Sequence, residues 1–248
     1  MWKLGDPPRS GSVSWSKADF DSLGQPRHPK GSPQGGEFAP KGGGGGSSAA
    51  TVLSEFQDIH GFALRVDGDD EKTVLFADKI GASHDDLRER FPGLVSLESQ
   101  FVPVSEVVIS SRELKKQASV EASGVFVYDS RTMYLGSKVT GGRKNLKTGD
   151  WVADNSYEGT FRHEYGHALE KAILERAGSK LGHKRLGVGG MLEDVGTDFV
   201  KKNVSYYGAT NSKEYFAEAF AMYTHPQFDR NKINLGTDML ALFDAALK

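Results

Sequence analysis

Cysteine is absent from all 248 residues. A disulfide framework and a thiolate metal site are therefore excluded, because each needs paired or clustered cysteines. The same absence leaves the redox compartment undecided.

The sequence also lacks long apolar runs and a strong excess of charge. No stretch approaches the roughly 20 apolar residues that a membrane-spanning helix needs, and residues 1–9 lack the apolar core of a secretory signal. The formal net charge is −2, and no phosphate-cradling motif or nucleic-acid module is found. We expect no membrane span, no nucleic-acid partner, and a location that is cytoplasmic or reached in a virion or through a dedicated secretion system.

The first 50 residues differ in composition from the rest. Gly, Pro, Ser and Lys dominate them, and they end in the run KGGGGGSSAA. Such a stretch cannot bury enough apolar surface to offset its ordering entropy. We predict a disordered tail and linker over residues 1–50 and one folded domain over residues 51–248. Residues 25–40 resemble low-complexity segments of phage and prophage head-associated proteins, so phage or toxin assembly components are candidate partners.

His163, Glu164 and His167 form the pattern HExxH. Residues four apart on a helix lie one turn above each other on the same face, so both imidazoles can reach one Zn²⁺ at about 2.0–2.1 Å. Glu164 lies beside them, where a carboxylate can act as a base rather than as a ligand. Because a metal lowers the pKa of its bound water, this pattern is typical of a zinc hydrolase.

The surroundings of the motif predict a helix. Asn155 with Glu158 resembles a capping box, apolar residues recur at helical spacing from 161 to 172, and Gly178 predicts the end of the helix. The alternative is a surface helix that carries this motif by chance. The other histidines have no ligand-like spacing, and we expect them to be solvated or hydrogen-bonded: His28, His60, His84, His183 and His225.

A catalytic zinc site needs a third protein ligand and one open position. The histidine-completed pattern HExxHxxGxxH is absent, because Glu170 and Ile173 occupy its glycine and last histidine positions. The metzincin class is therefore excluded. The third ligand is then an acid further along the chain.

Glu214 and Glu218 are the leading candidates for this ligand. They lie four residues apart on a helix predicted from about Ser212, among Ala, Tyr, Phe and Met. A helix that is apolar on nearly every side is normally buried. A buried carboxylate is costly unless it is paired or binds a metal, so this segment is predicted to complete the site.

Three alternatives stay open on spacing alone. Asn211 and Glu214 could form only a capping box. Glu218 could pair with Lys201 or Lys202, and Asp194 could be the ligand instead of either glutamate.

Two blocks of sequence, HEYGHA at 163–168 and YGATNSKEYFAEAF at 207–220, together resemble the catalytic centre of the anthrax toxin lethal factor family of gluzincin metalloproteases. They match the patterns HExGHA and YGxTNxxEFFAEAF of that family, except that Tyr215 replaces the first phenylalanine. The match covers roughly the last 90 residues and does not extend to substrate choice or to delivery domains.

The resemblance implies a zincin-like fold and a role for each matching residue. The implied zinc ligands are His163, His167 and Glu214, with Glu164 as general base, Tyr207 as the hydroxyl facing the reacting carbonyl, and Glu218 as a carboxylate supporting a ligating imidazole. Tyr206 is the competitor of Tyr207. Either tyrosine could instead pack under the helix with its hydroxyl at the surface.

Short β-branched and aromatic runs ahead of the motif predict a small sheet. Strands are predicted at 62–66, 73–76, 107–109, 124–128 and 132–135, with a hairpin turn at 129–131 and helices at 52–59, 85–91 and 192–202. The predicted fold class is α+β, with a small mixed sheet followed by a mainly helical half that carries the zinc site.

Residues 124–135 are the candidate sheet edge, along which a protein or peptide substrate would add as an extended strand. The alternative is that both strands of this segment are interior. The predicted function is a zinc-dependent endopeptidase, in which Glu164 is the base for a metal-activated water. The alternative function is a non-catalytic phage- or toxin-associated structural or interaction module with a stabilising zinc site.

Overall fold

The structure is a computed structural model that describes residues 48–118, 122–137, 146–181 and 189–248. The predicted tail lies outside these residues except for 48–50, as do residues 25–40, His28 and His183. The helices are α1 (Ala49–His60), α2 (Asp70–Arg90), α3 (Pro92–Gln100), α4 (Ser111–Gln117), α5 (Tyr157–Leu181), α6 (Met191–Val195), α7 (Thr197–Asn203), α8 (Ser212–Tyr223) and α9 (Thr237–Leu247). The strands are β1 (Ala63–Val66), β2 (Glu106–Ile109), β3 (Gly124–Val127) and β4 (Thr132–Leu135).

The four strands form one sheet in the order β1-β2-β4-β3. β1, β2 and β4 run parallel, whereas β3 is antiparallel to β4. A small mixed sheet therefore precedes a mainly helical half, which confirms the α+β prediction at this level. None of the described helices is both long and apolar enough to cross a bilayer.

The predicted hairpin is present, and half of the predicted edge is correct. Arg131 adopts a φ of 52°, and its N–H donates to the carbonyl of Tyr128 at 3.3 Å, which closes the turn between β3 and β4. Among the described strands β3 lies at the edge of the sheet, but β4 lies between β2 and β3. Within the predicted segment 124–135, only residues 124–127 therefore lie on an edge strand of the described sheet.

The strand predicted at residues 73–76 is wrong, because this segment lies in α2. Asp69 caps the helix by accepting the N–H of Lys72 at 2.9 Å. Buried side chains then recur every three or four residues, at Thr73, Phe76 and Ile80. Four residues were too few to distinguish this helical period from the alternation of a strand.

Two predicted helix boundaries are also corrected. Gly178 lies inside α5, which continues to Leu181. The helix predicted at 192–202 is two short helices, because Gly196 adopts a φ of 85° between them. A left-handed residue cannot continue a right-handed helix, so α6 and α7 are separated there.

The core is built around α5, which packs against α8 and α9. Gly166 lets α5 and α8 approach closely, because a Cβ at this position would lie 3.1 Å from a ring carbon of Phe220. The largest fully buried side chains on these three helices are Tyr157, Phe161, Tyr165, Tyr215, Phe216, Phe220 and Phe243. This packing holds the motif helix rigidly against the helix that carries the candidate acids.

Candidate metal centre

The start of α5 is fixed by short polar contacts. The hydroxyl of Ser156 accepts the N–H of Gly159 at 2.8 Å, and Asp154 Oδ1 accepts the N–H of Ser156 at 2.9 Å. Ser156 therefore acts as the N-cap, one residue after the predicted Asn155. From this start, His163, Glu164 and His167 follow as buried residues of α5.

The start of α8 is fixed by Asn211. Its Oδ1 accepts the N–H groups of Lys213 at 3.0 Å and of Glu214 at 3.1 Å, which is N-capping. The carboxylate of Glu214 turns away from the cap and toward the imidazoles of α5. The capping interpretation is therefore correct for Asn211, but it does not describe what the Glu214 side chain does.

His163, His167 and Glu214 converge on one point. Glu214 Oε2 lies 3.1 Å from His163 Nε2 and 3.3 Å from His167 Nε2, and one ligand atom from each residue lies within 4.8 Å of the others. Ligands placed 2.0–2.1 Å from a tetrahedral cation are about 3.3 Å apart. These three side chains could therefore hold one metal ion, and the donor set fits zinc.

Glu218 supports this group from behind. Its Oε1 accepts the Nδ1–H of His163 at 2.8 Å, and its Oε2 accepts the N–H of Ala153 at 2.8 Å. This contact leaves Nε2 of His163 free to face the metal position. Glu218 therefore pairs with His163 rather than with a lysine, and Lys201 pairs with Asp198 at 3.7 Å.

The ring of His167 has no comparable support. Its Nδ1 is buried without a hydrogen-bond partner among the described residues. The remaining rival ligand, Asp194, lies in α6 with an exposed side chain and outside the donor group.

The pKa values of two of the three convergent side chains, His163 and Glu214, are strongly shifted. Burial alone would lower the pKa of His163, but its hydrogen bonds to Glu214 and Glu218 outweigh burial and raise the pKa well above its usual value. Burial likewise opposes ionisation of Glu214, whereas its hydrogen bonds to the two histidines lower its pKa far below the usual range. Both shifts have the same cause, the close approach of the carboxylate to the imidazoles, and this is the geometry in which the three side chains could hold a cation.

Glu164 lies under strand β3. Its carboxylate accepts the backbone N–H of Phe126, and a Cβ on Gly124 would lie only 2.7 Å from Glu164 Oε1. Burial raises the pKa of Glu164, although the two neighbouring histidines oppose that shift. The carboxylate is therefore held beside the metal position without being part of the donor group.

Tyr207, rather than Tyr206, faces the centre. The ring of Tyr207 lies 5.7 Å from the ring of His163, and its hydroxyl is hydrogen-bonded to Glu214. Burial, followed by the nearby carboxylates, raises the pKa of Tyr207 above its usual value, so its hydroxyl stays protonated and able to donate. Tyr206 is 50% exposed.

A cavity of about 440 Å³ opens at the centre. Its walls include Gly124, Trp151, His163, Glu164, Tyr207 and Glu218. Trp151 was not predicted as a site residue. It is 64% exposed, and its ring lies 6.1 Å from the ring of Tyr207. A single tryptophan ahead of the motif gives no spacing signal that could have identified it.

The fold and site together define an α+β protein with a His–His–Glu donor group shared by two helices, α5 and α8, that pack against each other. No protein-family model matches the chain, and no curated protein matches it either.

Proposed function

We propose that this protein is a zinc-dependent endopeptidase of the gluzincin type, with a zincin-like fold similar to that of the lethal factor family. The observation that carries the proposal is the convergence of His163, His167 and Glu214, with Glu164 buried beside them and not used as a ligand. A purely structural zinc site has four protein ligands and no need of such a base.

The three donors would hold the ion, and each other residue has a separate task. Zinc, when bound, would polarise the scissile carbonyl and lower the pKa of a water. Glu164 would take the proton of the attacking water and pass it to the leaving amine, which a carboxylate with a raised pKa can do in both directions. Tyr207 would donate its hydroxyl to the carbonyl oxygen as negative charge develops there.

The substrate would bind as an extended strand along β3. The carbonyl of Ser123 accepts the N–H of Gly136, which follows β4. Inward- and outward-facing residues alternate along an antiparallel strand, so the backbone N–H and C=O groups of Gly124 and Phe126 point away from β4. Phe126 already donates outward to Glu164. A peptide that pairs with this edge would therefore lie directly over the base and the metal position.

The test is cleavage of an unstructured protein by the full chain, with and without a metal chelator. Glu164→Gln should retain zinc and lose nearly all cleavage, whereas His163→Ala should lose zinc. Unchanged proteolysis in Glu164→Gln would exclude this mechanism. Bound zinc with no cleavage in the unmodified chain, across a diverse peptide library, would favour the non-catalytic module instead.

A further inference from the structure

A second group of metal-ligating side chains lies where α1 meets α2. His60 is the last residue of α1, and His84 and Asp85 are neighbours on α2. His60 Nδ1 lies 3.1 Å from His84 Nδ1 and 3.7 Å from Asp85 Oδ1, and all three donor atoms lie within 4.8 Å of one another. These separations are close to the roughly 3.3 Å expected between ligands of one tetrahedral cation.

The orientation of His84 is fixed from its far side. Its Nε2 lies 2.9 Å from Glu98 Oε1, and the same oxygen accepts the hydroxyl of Tyr165 at 2.6 Å. With Nε2–H donated to a carboxylate, the lone pair of the imidazole is on Nδ1, which faces His60. A carboxylate behind a ligating histidine is the usual support of a protein metal site.

Two glycines, Gly61 and Gly81, shape the surroundings of His60. Gly61, with a φ of 78°, ends α1 immediately after it. A Cβ on Gly81 would lie 2.9 Å from His60 Nε2, so the ring fits only because a glycine lies in the middle of α2. Glycine in the middle of a helix is unfavourable relative to alanine, and here it makes room for the imidazole.

Charge and access suit a cation. His84 is buried, whereas the side chain of Asp85 is 62% exposed, so water can reach the open side and complete the coordination. Arg88, a positive charge that acts on His60, is paired with Glu98 at 3.4 Å. Asp85 adds a negative charge beside the imidazole of His60.

We propose that His60, His84 and Asp85 form a second binding site for a divalent transition-metal ion, distinct from the centre on α5 and α8. Two imidazoles and one carboxylate favour ions of the zinc class over magnesium or calcium. The ion would tie the end of α1 to α2. Through Glu98 and Tyr165 the same contacts reach α3 and α5, which makes it a stabilising site. The expected hydrogen bonds of His60 and His84 are present, and the proposal adds a metal ion that both could bind.

The experiment counts zinc ions per chain after metal stripping, reloading with zinc chloride and desalting. The unmodified protein should bind two. His163→Ala with His167→Ala should bind one, and adding His60→Gln to that pair should abolish binding. The glutamine can still donate a hydrogen bond to His84 Nδ1, so a loss of zinc reports ligation rather than a missing hydrogen bond. Added zinc should also raise the melting temperature of the paired variant, but not after His60→Gln.

The matched control is Glu71→Gln, which removes an exposed acid from the first turn of α2. It should leave the number of bound zinc ions unchanged. If the paired variant does not fold, His60→Gln in the otherwise unmodified chain should lower the count from two to one. The second site is refuted if His60→Gln leaves the count unchanged. An unmodified chain that binds one ion, lost on replacing His163 and His167, would refute the second site and leave the proposed function intact.

Discussion

Glu218 shows how much of the metal centre depends on one carboxylate that does not itself belong to the donor group. Two N–H groups point at it, one from His163 and one from Ala153. A carboxylate has an acceptor oxygen for each of them, but the amide of glutamine has only one.

Glu218→Gln should therefore weaken zinc binding by about tenfold to a hundredfold, because the ring of His163 loses its acceptor or Ala153 does. Competition with a chromophoric chelator would measure this change. Glu175→Gln, an exposed acid of α5 paired with Lys171, is the control and should bind zinc normally. Equal affinities in the two variants would show that Glu218 does not orient the histidine.

Gly124 is a second residue whose identity matters to the centre. A methyl group there would lie 2.7 Å from Glu164 Oε1 and 2.9 Å from Thr160 Cγ2. Because both distances are too short for ordinary contacts, either the strand or the Glu164 carboxylate must shift.

Gly124→Ala should reduce kcat/KM on the order of a hundredfold, as expected when a catalytic group is misplaced by about 1 Å. Zinc content should stay normal, since the atoms nearest to the added Cβ belong to Glu164 and Thr160 and not to the three donors. The control is Gly189→Ala, where an added Cβ meets nothing within 4 Å. Full activity in Gly124→Ala, with the same fold, would contradict the placement of Glu164 under this strand.

For single residues, spacing along the sequence predicted some side-chain contacts and not others. The HExxH pattern predicts that His163 and His167 share a face because they are four residues apart on one helix. Glu214 and Glu218 are also four apart, so spacing alone could not decide which of them faces the imidazoles. His60 and His84 are 24 residues apart on different helices, and only the packing of α1 on α2 brings them together.

Among the elements, α8 positions both acids of the centre, and its first turn depends on Asn211. Two N–H groups at the start of the helix, including that of Glu214, are satisfied only by this side chain within the described structure. Loss of an N-cap leaves such groups unpaired.

Asn211→Ala should destabilise the protein by about 1 kcal/mol and lower its melting temperature by about 2–4 °C. Asn211→Ser keeps a capping oxygen and should be close to the unmodified protein. Calorimetry of the metal-free protein checks both values, since bound zinc would mask a loss in α8. Identical melting of the alanine and serine variants would mean that the cap contributes nothing.

Elements were predictable where a long pattern or a cap marked them. Both α5 and α8 have a long pattern and a cap. The hairpin of β3 and β4 has two matched runs around a turn. The segment 73–76 was misassigned because its true context, the cap Asp69, lies outside the short window. The edge position of β3 could not be predicted, since strand order depends on how distant segments pair.

For the molecule as a whole, the decisive contacts join the first half of the chain to its last helix. α3 packs against α9, and the carbonyl of Gly93 in α3 accepts a hydrogen bond from Arg176 of α5 at 3.2 Å. Together with the packing of α9 on α5, these contacts connect α5 to α3. No motif or resemblance predicted α9, because its importance lies in this long-range packing.

Gly93→Ala tests whether α3 packs against α9 as described. The substitution has two effects on the free energy of unfolding, and they have opposite signs. Helix propensity favours alanine over glycine by up to about 1 kcal/mol. A Cβ at residue 93, however, would lie 2.5 Å from the carbonyl oxygen of Ala246 and 2.6 Å from the carbonyl carbon of Leu247. These are backbone atoms of α9 and cannot rotate away, so overpacking of about 1–3 kcal/mol should prevail.

Urea unfolding of the metal-free protein should therefore show a lower midpoint for Gly93→Ala. The matched variant is Gly68→Ala, where the close contact is with the flexible side chain of Lys72 at 2.9 Å and the midpoint should hardly change. If Gly93→Ala were as stable as the unmodified protein, α9 would not be docked on α3 as described.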